Sequence, residues 1–240
     1  MKISIIGKMK EKQIPIGYRM FVLSMIKKIL SDFDEEYFNN IFFHDGKKSK
    51  KIKPFTFSTF FRDYKINKNF IEVNGEVKII ISSADMKLIM ILFNGFMNMK
   101  NYGDFIKLSV NVEKERKINK SEAIFKTLSP IYIKDKNGKD LDIKDKNYNK
   151  EFNYYADIIL RSYRGYGLNK PLEFISLNMK KTIAKEQIKG FKEKTGKEYI
   201  YIKAYSGIFK LIGNTEDLNL LKELGVGARR SGGFGNIDLF

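Results

Sequence analysis

The chain has 240 residues, 43% of them hydrophobic, and a formal net charge of +17, which indicates one large or two small domains with a buried core. No apolar run approaches the ~18 residues of a membrane-spanning helix, and the first residues lack the apolar segment of a signal peptide, so a cytoplasmic protein without a membrane partner is expected. The absence of cysteine excludes disulfides, thiolate nucleophiles and cysteine-based zinc sites.

The strong positive charge predicts an anionic partner. A pI of about 9.7 corresponds to a field that attracts polyanions, and nucleic acid is the commonest polyanion in a cytoplasm. The alternative is a lysine-rich surface without a nucleic-acid partner, which would bind RNA weakly, without sequence preference and only at low salt.

The first segments predict a strand followed by two helices. Lys2 to Gly7 is typical of a short strand, and Pro15 marks the entry to a helix. In "YRMFVLSMIKKILS" the apolar residues recur at i, i+3, i+4, i+7 and i+8 from Tyr18, the stripe of an amphipathic helix. "SDFDEEYFNNIFF" predicts a second helix, with Ser31 or Asp32 as its N-cap and acidic residues in its first turn.

Further strands and one helix complete the first half. The alternation of "FTFSTFF" predicts a strand, and Asn74-Gly75 between β-rich flanks predicts a hairpin. "ADMKLIMILFNGFMN" predicts an apolar helix, and "DFIKLSVNVEKERK" predicts another strand. The order strand, helices, strand, strand, helix, strand up to residue 118 is the ferredoxin-like pattern.

The second half repeats this order. "AIFKTLSPIYIKD" predicts a strand, Asn137-Gly138 a turn, and "NKEFNYYADIILRSYRGYG" a helix. The apolar face of that helix is formed by Phe152, Tyr155, Ile158 and Ile159. Strands in "PLEFISLNMKK" and "KEYIYIKAYSGIFKLIG" precede a helix that begins at Asn214 or Thr215 and ends at Gly225, and "NIDLF" is the last strand. The sequence therefore predicts an α+β fold of two tandem ferredoxin-like (RRM-like, βαββαβ) domains, residues 1–118 and 119–240.

A glycine-rich loop, "GVGARRSGGFG", lies between the last predicted helix and the last strand. Its glycines permit positive φ and a close approach of the backbone to a ligand, and its amide N–H groups and arginines suit phosphate binding. It is neither a Walker loop, since no Gly-Lys-Ser/Thr follows, nor a Rossmann turn, since it leads from helix to strand. A plain connector is the alternative. The candidate RNA-binding residues in the loop are Gly227, Arg229, Arg230, Ser231, Gly232 and Gly233.

This loop resembles the carboxy-terminal glycine-rich loop of the repeat-associated CRISPR proteins, with its hydrophobic positions at Val226 and Phe234. Three segments, "IPIGYRMFVLSMIKKIL", "FFHDGKKSKKIKPFTFSTF" and "FKTLSPIYI", narrow the resemblance to the Cas-six type, the endoribonuclease that cuts CRISPR repeat transcripts. They are similar to the family's first helix, its catalytic-histidine segment and the opening strand of its second domain. The resemblance covers nearly the whole chain, and the family's two ferredoxin-like domains agree with the order of elements above.

The chain has one histidine, His44, which is followed closely by five lysines. A lone histidine is more often structural than catalytic, but a titratable imidazole beside a phosphate-attracting cluster suits RNA cleavage. In that reaction the ribose 2′-OH attacks the adjacent phosphorus, a base removes its proton, an acid protonates the leaving 5′-oxygen, and a cation stabilises the dianionic transition state. The products would carry a 2′,3′-cyclic phosphate and a 5′-OH.

The resemblance implies catalytic roles for specific residues. His44 takes the catalytic-histidine position, and Lys53 takes that of the lysine before the "FTFS" strand, with Lys51 or Lys50 as alternatives.

One position of the first helix departs from the family. Some relatives carry a catalytic tyrosine there, whereas this chain has Lys27. Either Lys27 substitutes as a cation or Tyr18 contributes, although Tyr18 begins the apolar stripe and fits the core better. Because acid and base cannot both be imidazoles, a modest single-turnover enzyme is expected.

Other basic residues are candidates for holding RNA. The tyrosines interleaved in "RSYRGYG" could stack on bases, while the alternative for its arginines is that they complement a helix C-terminus. The aromatic residues of "FTFSTFF" and "YIYIKAY" fit the core better, because the RRM signature is missing. Outside the glycine-rich loop, the candidate RNA-binding residues are Lys47, Lys48, Lys50, Lys51, Arg161 and Arg164.

No metal or cofactor is predicted. The acids of "DFDEE" are typical of helix capping, and "DKNGKDLDIKD" lacks the glycine and glutamate positions of a calcium loop. The predicted partner is CRISPR repeat RNA, and other subunits of a CRISPR effector complex are a further possibility, with the protein as a monomer or homodimer. The alternative function is a catalytically inactive RNA-binding subunit with the same fold.

Overall fold

The protein, as a computed structural model, is described for residues 1–187 and 191–240. Its first half contains ten strands and three helices among these residues. In chain order they are β1 (Lys2–Met9), β2 (Gln13–Pro15), α1 (Tyr18–Phe33), α2 (Glu35–Phe42), β3 (Phe43–His44), β4 (Lys47–Lys48), β5 (Phe55–Phe61), β6 (Tyr64–Ile66), β7 (Phe70–Val73), β8 (Val77–Ser83), α3 (Met86–Asn98), β9 (Asn101–Tyr102) and β10 (Phe105–Val112).

The second half is built around two long strands. Its described elements are β11 (Glu122–Thr127), α4 (Tyr148–Arg164), β12 (Glu173–Glu186), α5 (Phe191–Thr195), β13 (Ile200–Ile212), α6 (Thr215–Leu224), a short 3₁₀ turn (Arg230–Gly232) and β14 (Ile237–Leu239). No helix in the described residues is both long enough and apolar enough to span a membrane.

The fold is α+β, with two main antiparallel sheets. The first has the order β5-β8-β1-β10-β9 and the second the order β12-β13-β11-β14. In the first sheet β1 therefore lies between β8 and β10, and in the second β11 lies between β13 and β14. In each half the first main strand is thus flanked by the third and the fourth. Helices α1 and α3 pack on the first sheet, and α4 and α6 on the second, so each half has its own hydrophobic cluster.

The apolar stripe of α1 faces the first core, as predicted. Its members Val22, Met25, Ile26 and Leu30 are fully buried, and the period-3.6 pattern brings them to one side of the helix. Arg19 lies on the same stripe and is also buried. This buried cation connects α1 to the second half of the chain, as described below.

The predicted start of the second helix is wrong by two or three residues, because its N-cap is Asp34 and not Ser31 or Asp32. Ser31 and Asp32 belong to α1, where the Asp32 carboxylate accepts a hydrogen bond from Lys28 one turn earlier at 2.6 Å. The break comes at Asp34, whose extended backbone (φ −156°) ends α1 and whose carboxylate accepts from the Tyr37 N–H at 2.8 Å. One Asp34 carboxylate oxygen caps the helix, while the other lies 2.9 Å from the Lys87 ammonium.

The predicted Asn74-Gly75 hairpin is also wrong. Strand β7 pairs with β2 and β6, whereas β8 pairs with β5 and β1. Asn74 and Gly75 donate instead to the carbonyls of Asp63 and Arg62, at 2.8 and 3.1 Å. The long strands β5 and β8 form the hairpin, and residues 62–76 between them fold into the small sheet β2-β7-β6.

The predicted strand "AIFKTLSPIYIKD" is shorter than expected. It ends at Thr127, and only isolated bridges of Ile131 and Lys134 follow. Pro130 has no N–H to donate to a ladder, and its carbonyl accepts from the Gly235 N–H at 2.8 Å. The glycine-rich loop therefore lies beside this segment, and its Ala228 N–H also donates to the Tyr132 carbonyl at 2.8 Å.

Candidate functional site

His44 lies on a two-residue hairpin that follows α2. Strands β3 and β4 pair His44 with Lys47, and the connecting Asp45 and Gly46 have φ values of 49° and 70°. Two successive left-handed residues are the requirement of a type I′ turn, which Asp-Gly satisfies. The imidazole is 66% exposed, with Nδ1 3.4 Å from an Asp45 carboxylate oxygen. The hairpin thus presents His44 to solvent.

A groove of about 580 Å³ lies in front of His44. We call it the His44 groove. The hairpin and the last turns of α2 form its walls, and Lys51 enters it from the following segment. Its lining residues are Asn39, Asn40, Phe43, His44, Asp45, Gly46 and Lys51.

Two lysines converge on the ring of Phe42, at the end of α2. The Nζ atoms of Lys27 and Lys53 lie 4.8 and 5.7 Å from the ring centroid, within the range of cation–π attraction. Lys53 also donates to the carbonyls of Ser49 and Lys51, at 2.9 and 2.7 Å. The predicted Lys27 and Lys53 are therefore neighbours in space, although 26 positions separate them.

The electrostatics of Lys53 follow from this arrangement. Burial lowers the pKa of its ammonium, and the charges of Lys27 and Lys51 lower that pKa further. Each like charge disfavours the protonated form. Lys53 is therefore a stronger acid than an isolated lysine.

A cavity of about 340 Å³ continues from Lys51 and Lys53 toward the second half. We call it the loop cavity. Lys51 also lines the His44 groove, so this lysine links the two. The residues that line the loop cavity are Ser49, Lys51, Ile52, Lys53, Lys134, Tyr155, Ile158, Ile159, Gly227, Ala228, Arg229, Arg230 and Ser231.

The glycine-rich loop is packed between the two halves. A Cβ on Gly233 would lie 2.8 Å from the Phe57 ring, and one on Gly227 would lie 2.6 Å from the Tyr132 carbonyl oxygen. The amides of Gly232, Gly233 and Gly235 donate to carbonyls of the protein. These three amides of the predicted phosphate cradle are therefore bonded within the protein, and Gly227 and Gly233 are buried.

The two arginines of the loop have different environments. Arg230 is 5% exposed and donates to the carbonyls of Leu224 and Lys53. Arg230, predicted to contact phosphate, thus ties the loop to the segment that carries Lys53. Arg229 is exposed, with its guanidinium 6.0 Å from the Tyr132 ring centroid.

A buried ion pair fixes the loop to α1. The Arg19 guanidinium lies 2.8 Å from a Glu186 carboxylate oxygen and donates to the Gly233 carbonyl at 3.3 Å. It also lies between two rings, 4.8 Å from Tyr18 and 4.9 Å from Phe234. Tyr18 is thus part of the core and of this clamp.

The remaining predicted residues do not appear among the contacts of the Phe42 ring described above. Arg164, a predicted RNA contact, bonds to Asp217 at 2.6 Å and stacks on Tyr166 at 4.1 Å, and so links α4 to α6. Arg161 is exposed and pairs with Asp157. Ser231 and Gly232 are half-buried, Lys47 and Lys50 are exposed, and the side chain of Lys48 lies outside the described residues.

Several site residues were not predicted from the sequence. Phe42 was assigned only to a helix, although it is the shared contact of two lysines. Arg19 could have been found, because a charged residue on an apolar stripe signals a buried partner. Lys134 and Tyr155 carry no local signal, since only the fold brings them to the loop cavity.

Within the described residues, no group of three or more histidine, cysteine, aspartate or glutamate side chains is placed to hold a metal ion.

Comparison with solved structures defines the class of fold. An RAMP protein that binds different RNA substrates is 21% identical, with a TM-score of 0.81 over 100% of this chain and 99% of that one. A Cas6-related protein from Pyrococcus furiosus is 20% identical, with a TM-score of 0.78 over 100% and 98%. Cas6 from Thermus thermophilus is 13% identical, with a TM-score of 0.58 over 100% and 97%. The chain thus has the fold of Cas6 and RAMP proteins.

The family follows from the sequence itself. No curated protein matches the chain, but residues 113–239 match the family model described as CRISPR associated protein Cas6, C-terminal. Because this match covers more than half of the 240 residues, the chain belongs to the Cas6 family of CRISPR-associated proteins. The resemblance to the Cas-six type is confirmed.

Proposed function

We propose that the protein is an endoribonuclease that cleaves CRISPR repeat transcripts (pre-crRNA) without a metal ion and so produces mature guide RNAs. The observation that carries this proposal is the convergence of Lys27 and Lys53 on Phe42, beside the groove that His44 and Lys51 share. Membership of the Cas6 family supports the substrate class.

We also propose that residues 1–118 and 119–240 are tandem ferredoxin-like domains, since the strand orders of the two sheets correspond.

The proposed reaction gives each residue a defined task. The ribose 2′-OH attacks the adjacent phosphorus, the 5′-oxygen leaves, and a 2′,3′-cyclic phosphate forms. His44 transfers one of the two protons, and Lys53, whose pKa is lowered, transfers the other or stabilises the dianionic transition state. Lys27 adds positive charge, and Lys51 or Lys50 is the alternative to Lys53.

Exposed cations outside this centre would hold the RNA. Arg229 and Lys47 are exposed, and phosphate contacts of this kind supply affinity without sequence information. A T. thermophilus Cas6, similar in fold, has been solved as a product complex, which supports an RNA that stays bound after the cut.

A second candidate function is that of a catalytically inactive RNA-binding subunit of a CRISPR complex. The exposure of His44 favours it, because the imidazole lies on a short hairpin and is 66% exposed, with Nδ1 3.4 Å from an Asp45 carboxylate oxygen. This function would need the cations but no proton transfer.

Cleavage of the source organism's own CRISPR repeat RNA tests the proposal. In EDTA, the wild type should cut once and leave a cyclic phosphate and a 5′-OH, whereas His44→Ala should bind the RNA equally but cut at least 100-fold more slowly. Lys47→Ala, which changes the paired residue of the same hairpin, should weaken RNA binding but keep the cut, and so separates loss of a hairpin cation from loss of the imidazole. Tight binding by the wild type without any cut would instead establish the RNA-binding subunit.

A further inference from the structure

The loop cavity is lined by apolar residues on one part of its surface and by cationic residues on another. The proposed reaction does not use this arrangement. Ile52, Ile158, Ile159 and Ala228 form an apolar floor. Five cationic residues from both halves of the chain also line the cavity. Arg230 is buried and bonded to the carbonyls of Leu224 and Lys53. The other four are Lys51 and Lys53 from the segment before β5, Lys134 from the segment after β11, and Arg229 from the glycine-rich loop.

The size of the cavity limits what can enter it. Its volume of about 340 Å³ is at the low end of small-molecule sites, which suits one base with its sugar and excludes a duplex. A flat apolar ring system with attached phosphates matches an apolar floor within a cationic rim. A hydrophobic peptide would leave the four cations unpaired, and a free phosphate would leave the floor uncovered.

Tyr155 supplies an aromatic wall. It is half-buried, packs against both clusters of the second half and meets the Tyr154 ring at 5.5 Å. Burial raises the pKa of its hydroxyl to about 12, so the group remains a hydrogen-bond donor at neutral pH. Aromatic side chains of this kind hold unstacked bases in single-stranded RNA.

We propose that the loop cavity binds the base of one unstacked nucleotide of the RNA, with Tyr155 against the base and Lys134 and Arg229 on its flanking phosphates. The inference rests on the proposed RNA-cleaving function. Because Lys51 and Lys53 belong to both the cavity and the candidate catalytic centre, the nucleotide is a neighbour of the cleaved bond. The cavity would thus set where the RNA is cut.

Single-abasic scanning tests this assignment. The probe is the source organism's repeat RNA with a 2′-deoxynucleotide at the cleavage site, or the unmodified RNA if it is not cut, so that binding is measured without chemistry. One abasic position should weaken binding by the wild type about 5- to 150-fold, the range for loss of one stacked base. Tyr155→Leu should weaken binding of the intact RNA by a similar factor and show no further loss at that position.

Two lysines of the same turn provide the matched pair for the phosphate contact. Lys134→Ala should lower the slope of log affinity against log salt by about 0.7, the value for one phosphate of a single strand. Lys136→Ala removes the same charge from an exposed position of that turn, outside the cavity lining, and should leave the slope unchanged.

The outcomes separate this inference from the proposed function. An abasic position that depends on Tyr155 in a protein that cuts nothing would support the cavity and overturn the nuclease. The other possibility is that the protein cuts the RNA, that Tyr155→Leu does not alter the effect of any abasic position, and that both lysine variants give the same salt slope. This result would overturn nucleotide binding by the cavity and support the endoribonuclease function. Absence of RNA binding would overturn both.

Discussion

Of the two adjacent arginines in the glycine-rich loop, Arg229 is exposed and Arg230 is buried. Their residue type and their spacing in the sequence do not predict this difference. Arg229 has a left-handed backbone (φ 56°) that turns it outward, and the next residue enters the 3₁₀ turn and points into the protein. Of this pair, only Arg229 is therefore placed to contact a phosphate in the solvent.

Substitution of each arginine by methionine should separate these roles. Arg230→Met leaves the carbonyls of Leu224 and Lys53 unpaired and should lower the free energy of unfolding by about 2 to 4 kcal/mol. Arg229→Met should leave that free energy within about 0.5 kcal/mol and weaken RNA binding instead. Urea unfolding and RNA titration measure the two effects, and equal loss of stability in both variants would contradict the assignment.

Lys53 offers a second prediction for a single residue. Since the charge of Lys27 lowers the pKa of Lys53, Lys27→Met should raise that pKa toward the model-peptide value of about 10.4. An NMR titration of the Lys53 side chain measures this without reference to activity. Lys28→Met is the control, because Lys28 is exposed and paired with Asp32. An unchanged pKa in Lys27→Met would show that the two ammonium groups do not interact.

At the scale of elements, α1 is held to the second half by one buried ion pair. Arg19→Met would leave the Glu186 carboxylate buried and unpaired, which should cost about 3 to 5 kcal/mol of unfolding free energy. In the double variant with Glu186→Leu no charge remains buried, so most of the loss should be recovered. Additive losses in the double variant would show that the pair acts only through packing.

The single variant should also depend on pH. Burial raises the pKa of the Glu186 carboxyl even with Arg19 present, so the folded state favours its protonated form. Stability from such a group is complete below the unfolded pKa and is lost as pH rises through the folded one. Urea unfolding of Arg19→Met should therefore show less destabilisation at pH 4 than at pH 8.

Elements with complete local signals were predicted well from the sequence. The stripe of α1 and the cap of α6 are examples: Asn214 accepts from the amides of Glu216 and Asp217, and Gly225 follows the helix with φ 81°. The Asn137-Gly138 turn is likewise confirmed, with Gly138 at φ 82°. In each case the residues that determine the conformation lie within a few positions of each other.

Elements that depend on distant partners were not predicted. Asn74-Gly75 has the composition of a hairpin, but β2, nearly sixty residues earlier in the chain, supplies a partner of β7. The lysine cluster at Phe42 was predicted in part, because its residues came from the family resemblance. The contact of both lysines with the Phe42 ring and the position of Tyr155 in the loop cavity could not be predicted, because periodicity does not say which helices meet.

At the scale of the whole molecule, the glycine-rich loop joins the two halves. Thr56 donates to the Phe234 carbonyl at 2.8 Å, and the Asn236 amide donates to Ser58 at 3.3 Å. Lys2 donates to the Ile237 carbonyl at 2.8 Å. These contacts connect β1 and β5 of the first sheet to residues near the last strand.

Two glycines with the same backbone conformation test how closely the halves are packed. Gly233 and Gly46 have φ values of 83° and 70°, so alanine introduces comparable strain at both, about 1 to 2 kcal/mol. Only at Gly233 would the new methyl group meet a ring, that of Phe57 at 2.8 Å, which should add about 1 to 3 kcal/mol. Calorimetry should give Gly233→Ala the lower melting temperature, and equal values would contradict close packing.

The polar character of this junction has a consequence for synthesis on the ribosome. The first half emerges before residues 223–237 exist, and the surface that awaits them carries the hydroxyls of Thr56, Ser58 and Ser82, all of which bond to the second half in the finished protein. Water can satisfy hydroxyl groups in the meantime, whereas an apolar surface would invite aggregation. We therefore expect that these hydroxyl groups keep this part of the nascent first half from aggregating until the last strand has been synthesised.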